Sequence, residues 1–141
     1  MKEYVIKKII EYNIAENFKL IGSFPPGEMP AFFAYADAMI VSLKKDFIFS
    51  LTIPSKLQSY MACGKPIIGS LDGEGARIIE QSQCGLVAPG EDEVSLSEQV
   101  IRFFNLPQQG REDMAQNSLD YYNIEFNRDT LIDNLISLTH A

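Results

Sequence analysis

"TIPSKLQSYMACGKPII", residues 52–68, combines a helix start, a helix stop and the opening of a strand. Pro54 and Ser55 are residues that begin helices, Gly64 is one that ends them, and the apolar run from Pro66 onward has the character of a buried strand. The stretch predicts a short amphipathic helix over 55–63 with a strand straight after it. Lys56 falls in the first turn of that helix, where the positive end of the helix dipole disfavours a cation by a few tenths of a kcal/mol. An anion bound at that terminus removes the conflict. A lysine that simply extends into solvent is the competing reading.

Outward from this stretch, helices alternate with short apolar runs. Residues 2–16 place Val5, Ile6, Ile9, Ile10 and Tyr12 on one side of a helix, with Lys7, Lys8 and Glu11 on the other. "FKLIGSF" (18–24), "AMIVSL" (38–43), "PIIGSL" (66–71) and "GLVAPG" (85–90) read as strands. The breaker-rich "PPGEMP" leads into a short helix, "AFFAYADA", and "DGEGARIIEQSQC" offers a helix that turns Ile78 and Ile79 to the sheet. Ser95 and Glu98 have capping-box spacing beside the stripe Leu96, Val100, Ile101 and Phe104. The remainder, a helical tail over about 107–141, predicts two helices meeting near Asn123, the second carrying Leu131, Leu135, Ile136 and Leu138.

This alternation predicts a doubly wound α/β domain: a parallel sheet of about four strands, helices on both faces, and helices alone at the end. Ile21, Ile40, Val41, Ile67, Ile68, Leu86 and Val87 are the expected buried strand residues, since strands covered on both faces need no polar alternation. Such domains usually open with a strand, a Gly-rich turn and a helix. This chain opens on a helix and has no G-x-G-x-x-G, so its first βα unit is expected to be missing. The expected consequence is an unpaired sheet edge that self-association or a partner chain would cover.

At 141 residues and 46% hydrophobic, the chain has the size of one domain and enough apolar surface to bury its own core. No apolar run approaches the ~18 to 20 residues of a membrane span. "MKEYVIKKIIEYNIAENF" is too charged for a signal peptide, and a cytoplasmic location is expected. Cys63 and Cys84 each precede a glycine at a predicted helix end, a spacing of neither metal ligands nor a Cys/His catalytic pair, and read as buried or half-buried free thiols. The only histidine, His140, stands next to last at a frayed end. No metal site and no His-based catalysis is predicted.

The net charge of -7 argues against a nucleic-acid partner, which needs a basic face. Residues 1–65 carry 8 Lys against 6 acidic groups, whereas residues 66–141 carry 4 Arg against 13. A small anion therefore belongs to the first half. In open parallel sheets, ligands gather at the carboxyl ends of the strands, where helix N-termini point free N–H groups outward. Ser55 and Lys56 meet that description if "FIFSLTI" carries the chain back across the top of the sheet. "LKKD" (43–46) either lines the same cleft or only solubilises a strand end, and Tyr60 and Met61 read as helix packing.

"PSKLQSYMACGKPII", with "GEMPAFFAYADAMIVSLKKD" before it and "DGEGARIIEQSQCGLVAPGED" after it, resembles the C-terminal, nucleotide-sugar-binding domain of retaining glycosyltransferases of the GT-B fold. The likeness is closest to the bacterial branch that builds surface polysaccharides, with its P-S-K-x-x-x-Y-[ML]-A-x-G-[KR]-P run. "REDMAQNSLDYYNIEFNRDTLIDNLISL" also has that family's look, so the resemblance covers nearly the whole chain. It implies a Rossmann-like fold and a nucleotide-diphosphate sugar as donor, with no further cofactor. By position, Thr52, Ser55 and Lys56 would hold the donor diphosphate, and the loop Ser23, Phe24, Pro25 to Pro26 would lie near the base. Glu74 and Arg77, beside Gly73 and Gly75, would approach the donor sugar or remain on a solvent-facing turn.

Many relatives carry a Glu-x7-Glu pair whose second glutamate binds the ribose hydroxyls. That position falls at Ser59, and the first at Leu51. A serine bonds one ribose oxygen but cannot accept from both hydroxyls as a carboxylate does. No catalytic residue is assigned, because in this fold the acceptor and several catalytic contacts lie on an opposing N-terminal domain. Three readings follow: the donor-binding domain of a glycosyltransferase, inactive alone; a non-catalytic nucleotide-sugar-binding or docking module; and half of a GT-B-fold epimerase. The Pro-Ser-Lys block and the tail favour the glycosyltransferase lineage over the epimerase. The expected partners are a nucleotide-sugar and either an N-terminal Rossmann-like domain in trans or a second copy of the chain.

Overall fold

Three apolar runs form the sheet of the computed structural model, which describes residues 2–139. β1 (Met39–Ser42), β2 (Ile67–Ser70) and β3 (Gly85–Ala88) pair in parallel in the order β1-β2-β3, with Ile40 beside Ile68 and Ile68 beside Leu86. The helices are α1 (Lys2–Glu11), α2 (Met29–Ala34), α3 (Phe47–Ser50), α4 (Ser55–Ala62), α5 (Glu74–Ser82), α6 (Glu93–Phe104), α7 (Gln108–Tyr121) and α8 (Arg128–Thr139). A 3-10 turn (Pro26–Glu28) precedes α2, and a π-helical turn (Tyr122–Phe126) follows α7. His140 lies outside the described residues.

Helices cover both faces of the sheet, as a doubly wound domain requires. On one face Val41 and Ile67 meet Leu57 and Met61 of α4, Ile78 and Ile79 of α5, and Cys84, all fully buried. Burying each of these aliphatic side chains contributes ~1.5 to 3 kcal/mol. On the other face Ile68 and Leu86 pack with Phe103 of α6, and Leu96, Leu106 and Met114 close the cluster. Val41, Ile67, Ile68 and Leu86 are buried as expected, and Val87 is half-buried.

Residues 18–24 form no strand, and Ile21 is 60% exposed. The sheet therefore has three strands where four were expected. A strand is held by its neighbour's ladder, and in the doubly wound order 3-2-1-4-5-6 two strands lie between the third and the fourth. β1-β2-β3 correspond to the last three places of that order. Among the described residues nothing fills the two places between 18–24 and β1. Ile40 is 53% exposed, since α6 packs chiefly on β2 and β3 on that face. Helix α1 has Ile9 as its one buried residue, where a whole apolar side was expected.

The end of α4 shows why residues 62–66 read as they do. Gly64 takes φ 59°, its N–H donates to Met61 O (3.0 Å), and the Lys65 N–H donates to Tyr60 O (3.2 Å). These are the paired bonds of a Schellman motif, which needs a left-handed residue at Gly64. Lys65 then ties the layers together. Its Nζ donates to the carbonyls of Ala34 and Ala36, each at 3.0 Å, and its own carbonyl accepts from the buried Ser118 Oγ of α7 (2.9 Å).

Gly85 opens β3, as the apolar run from 85 implied, but the left-handed residue that ends α5 is Gln83 at φ 55° rather than Gly85. A Cβ at Gly85 would stand 1.8 Å from Ile67 O, so glycine is required there by the close approach of β2. The expected capping box at Ser95 also shifts. Asp92 is the N-cap of α6, accepting from Ser95 N (2.9 Å) and Ser95 Oγ (2.8 Å). Aspartate caps as well as serine and adds a charge that favours the helix dipole. Leu131, Leu135, Ile136 and Leu138 of α8 do follow one another along a helix, but they are exposed.

Candidate functional site

Helix α4 is amphipathic across its short length, and that places the site. Leu57 and Met61, four residues apart, anchor it in the core. The spacing of Lys56, Ser59, Tyr60 and Cys63 sets those residues on the opposite side, where they line a groove. The groove, about 460 Å³, is walled across from α4 by Pro26, Met29, Pro30 and Phe33 of the turn and α2. Phe33 meets Tyr60 edge-on, and burial pushes the Tyr60 phenol above its usual range.

A second cavity, about 280 Å³, lies at the carboxyl end of β1 between Val41, Ser42, Leu43, Phe49, Thr52 and Pro54. Ser55 and Lys56 line both cavities. No side chain caps the N-terminus of α4, and the Leu57 N–H of its first turn donates to Pro54 O (2.9 Å), which leaves the N–H groups of Ser55 and Lys56 ahead of it at this junction. Among the described residues the Lys56 ammonium takes part in no ion pair. Short helix α3, capped by Asp46 accepting from Ile48 N (2.8 Å), carries the chain over the top of the sheet and supplies Phe49.

The predicted residues divide accordingly. Thr52, Ser55, Lys56 and Ser59 are brought together along the start of α4, with the Thr52 hydroxyl donating to Phe49 O (3.2 Å) and the Ser59 hydroxyl to Ser55 O (3.0 Å). Ser23, Phe24 and Pro25 are exposed and line neither cavity; Phe24 packs on Phe32 with ring centroids 4.3 Å apart, and Pro26 alone of that loop reaches the groove. Glu74 and Arg77 line neither cavity. They bind each other at the start of α5 (Nε to Oε2, 2.8 Å), which holds the Glu74 carboxyl below the usual carboxylate range and the guanidinium above its own. Lys44 and Lys45 are exposed, and the Lys45 N–H donates to Glu91 Oε2 (3.2 Å).

Met29, Pro30, Phe33 and Cys63 line the groove although the sequence reading assigns none of them to the site. Cys63 had a usable signal, lying four residues beyond Ser59 on the same helix face. The residues of α2 had none, since their approach to α4 depends on Lys65 reaching the carbonyls at the end of α2.

The family described as "Glycosyl transferases group 1" matches residues 1–120. The chain belongs to the group 1 glycosyl transferases. Sucrose-phosphate synthase from Thermosynechococcus elongatus superposes on it with a TM-score of 0.80 at 19% identity, over 98% of this chain and 33% of that one. The chain thus spans about one third of that enzyme's length, and at this identity the likeness concerns the fold: a Rossmann-like C-terminal domain of GT-B type. No curated protein matches the chain. Among the described residues, no helix of this glycosyl transferase domain is long and apolar enough to cross a membrane.

Proposed function

We propose that the chain is the donor-binding part of a glycosyltransferase of the surface-polysaccharide branch, holding a nucleotide-diphosphate sugar at the start of α4. The observation that carries this reading is the placement of Ser55 and Lys56 at the junction of the two cavities, with an uncapped helix terminus and an ammonium in no ion pair among the described residues. A diphosphate there would accept from the Ser55 and Lys56 N–H groups and the Ser55 hydroxyl, and the Lys56 ammonium would neutralise part of its charge. The apolar groove beside it suits a nucleobase, and the smaller cavity under Phe49 suits the sugar. When the glycosidic bond to the diphosphate breaks, negative charge grows on the departing phosphate, and Lys56 is positioned to stabilise it.

Transfer also needs an acceptor held against the anomeric carbon, an orientation that supplies roughly 7 to 11 kcal/mol of barrier lowering. In GT-B enzymes the opposing domain does this, so the chain alone binds donor without turnover. A cytoplasmic location accords with its two free thiols.

Calorimetric titration with UDP and GDP tests the site. Lys56→Ala is expected to weaken binding by about 1.5 to 3 kcal/mol, the range for a hydrogen bond to a charged group. Equal affinities for wild type and variant would sink the assignment. Sugar transfer by the purified chain to a broad acceptor panel would overturn its predicted inactivity.

A further inference from the structure

The charge and hydroxyl content of the groove bears on which nucleotides it takes. Among the described residues, Lys56 is the one charged side chain that lines the groove, and no carboxylate lines it. Ser59 lies just over one helical turn beyond Ser55, about 6 Å along the helix axis, where the pentose next to a bound diphosphate would fall. We propose that the groove accepts a 2′-deoxyribonucleoside diphosphate about as readily as its ribonucleoside counterpart, because Ser59 offers the pentose a single, exposed, neutral oxygen. The inference rests on the donor-binding reading above and deepens it.

A site that selects ribose does so with an acceptor that takes protons from its hydroxyls, commonly a carboxylate. Strong rejection of an analogue lacking a hydroxyl, on the order of 10⁴-fold, arises when its loss leaves a buried polar group unpaired. Here the acceptor is a single neutral oxygen in place of a carboxylate, and no buried polar group depends on the hydroxyl. The Ser59 hydroxyl already donates to Ser55 O at 3.0 Å and keeps only its lone pairs for a ligand. Ser59 is exposed, so water replaces a missing 2′-hydroxyl at once. The remaining hydroxyls of the groove, on Ser55 and Tyr60, are also single and neutral. One exchanged neutral hydrogen bond at an exposed position changes affinity by less than about tenfold.

The test is calorimetric titration of the 141-residue chain with UDP, dUDP, GDP and dGDP, so that base and diphosphate stay constant within each pair. The expected dissociation constants differ by less than about tenfold within each pair. A preference for the ribonucleotide of about tenfold or more would overturn the inference and leave the donor-binding reading intact. Absence of binding by all four would overturn that reading and the inference with it. Ser59→Glu, at an exposed position where circular dichroism can verify folding, is expected to create a ribonucleotide preference of about tenfold or more. An unchanged ratio in the folded variant would place the pentose away from Ser59 and overturn the assignment.

Discussion

Phe33 of α2 meets Tyr60 of α4 edge-on, with ring centroids 5.1 Å apart. This pair joins the two walls of the groove, and both rings are half-buried. Phe33→Ala is expected to destabilise the fold by about 1 to 2 kcal/mol, below the cost of truncating a fully buried ring. It should also loosen nucleotide binding, since the same ring lines the groove. Chemical denaturation and calorimetry on the same variant check both effects.

The two thiols should differ sharply in reactivity. Cys84 is fully buried between sheet and helices, and desolvation pushes its thiol pKa up despite hydrogen bonds involving Ser82 and Ser118. Thiolate is the reactive form, so Cys84 is expected to resist a disulfide reagent until the chain unfolds. Cys63 is half-buried and lines the groove, and it should react in the native state and be protected by UDP. A native-state count of one reactive thiol, falling on addition of UDP, is the expected readout.

Asp92 gives α6 a pH-dependent cap. Bonds from the Ser95 N–H and hydroxyl hold its carboxyl below the ordinary value, so the cap contributes stability above the unfolded pKa, near 4, and loses it as pH falls through the folded pKa. Asp92→Ala should lower the Tm at pH 7, and the gap to wild type should close in acid. Asp92→Asn, which still accepts a hydrogen bond but carries no charge, should retain part of the cap and flatten the pH dependence. Thermal melts of the three proteins between pH 7 and pH 3 measure this.

The free edge of β1 predicts self-association. Ile40 is exposed on an uncovered face, and no proline or charge interrupts Met39–Ser42. Edges of that kind recruit a second strand unless a charge blocks them. Sedimentation is expected to show concentration-dependent association of the wild type and its loss in Ile40→Lys, whose side chain would point to solvent at no cost to the core. A wild type that stays monomeric at high concentration would show the edge to be protected in solution.

Short-range signals in the sequence determined the helices other than α3, the three paired strands and the start of α4. Each rests on neighbours within a few residues: the left-handed Gly64 after Cys63, the Leu57–Met61 spacing, and the continuous apolar runs around Val41, Ile67 and Leu86. Residues 18–24 carry the same strand character, yet they stay unpaired and Ile21 and Ile40 stay exposed, because a ladder needs a partner strand that no local signal can supply. The groove was legible only on its α4 side. Its opposite wall, with Met29, Pro30 and Phe33, is joined to α4 by the Phe33–Tyr60 contact and by Lys65 bound to the carbonyls of Ala34 and Ala36, some thirty residues back along the chain. Local backbone preference fixes where a helix starts and stops, but contacts across such separations depend on how the layers pack, and only the tertiary structure decided them.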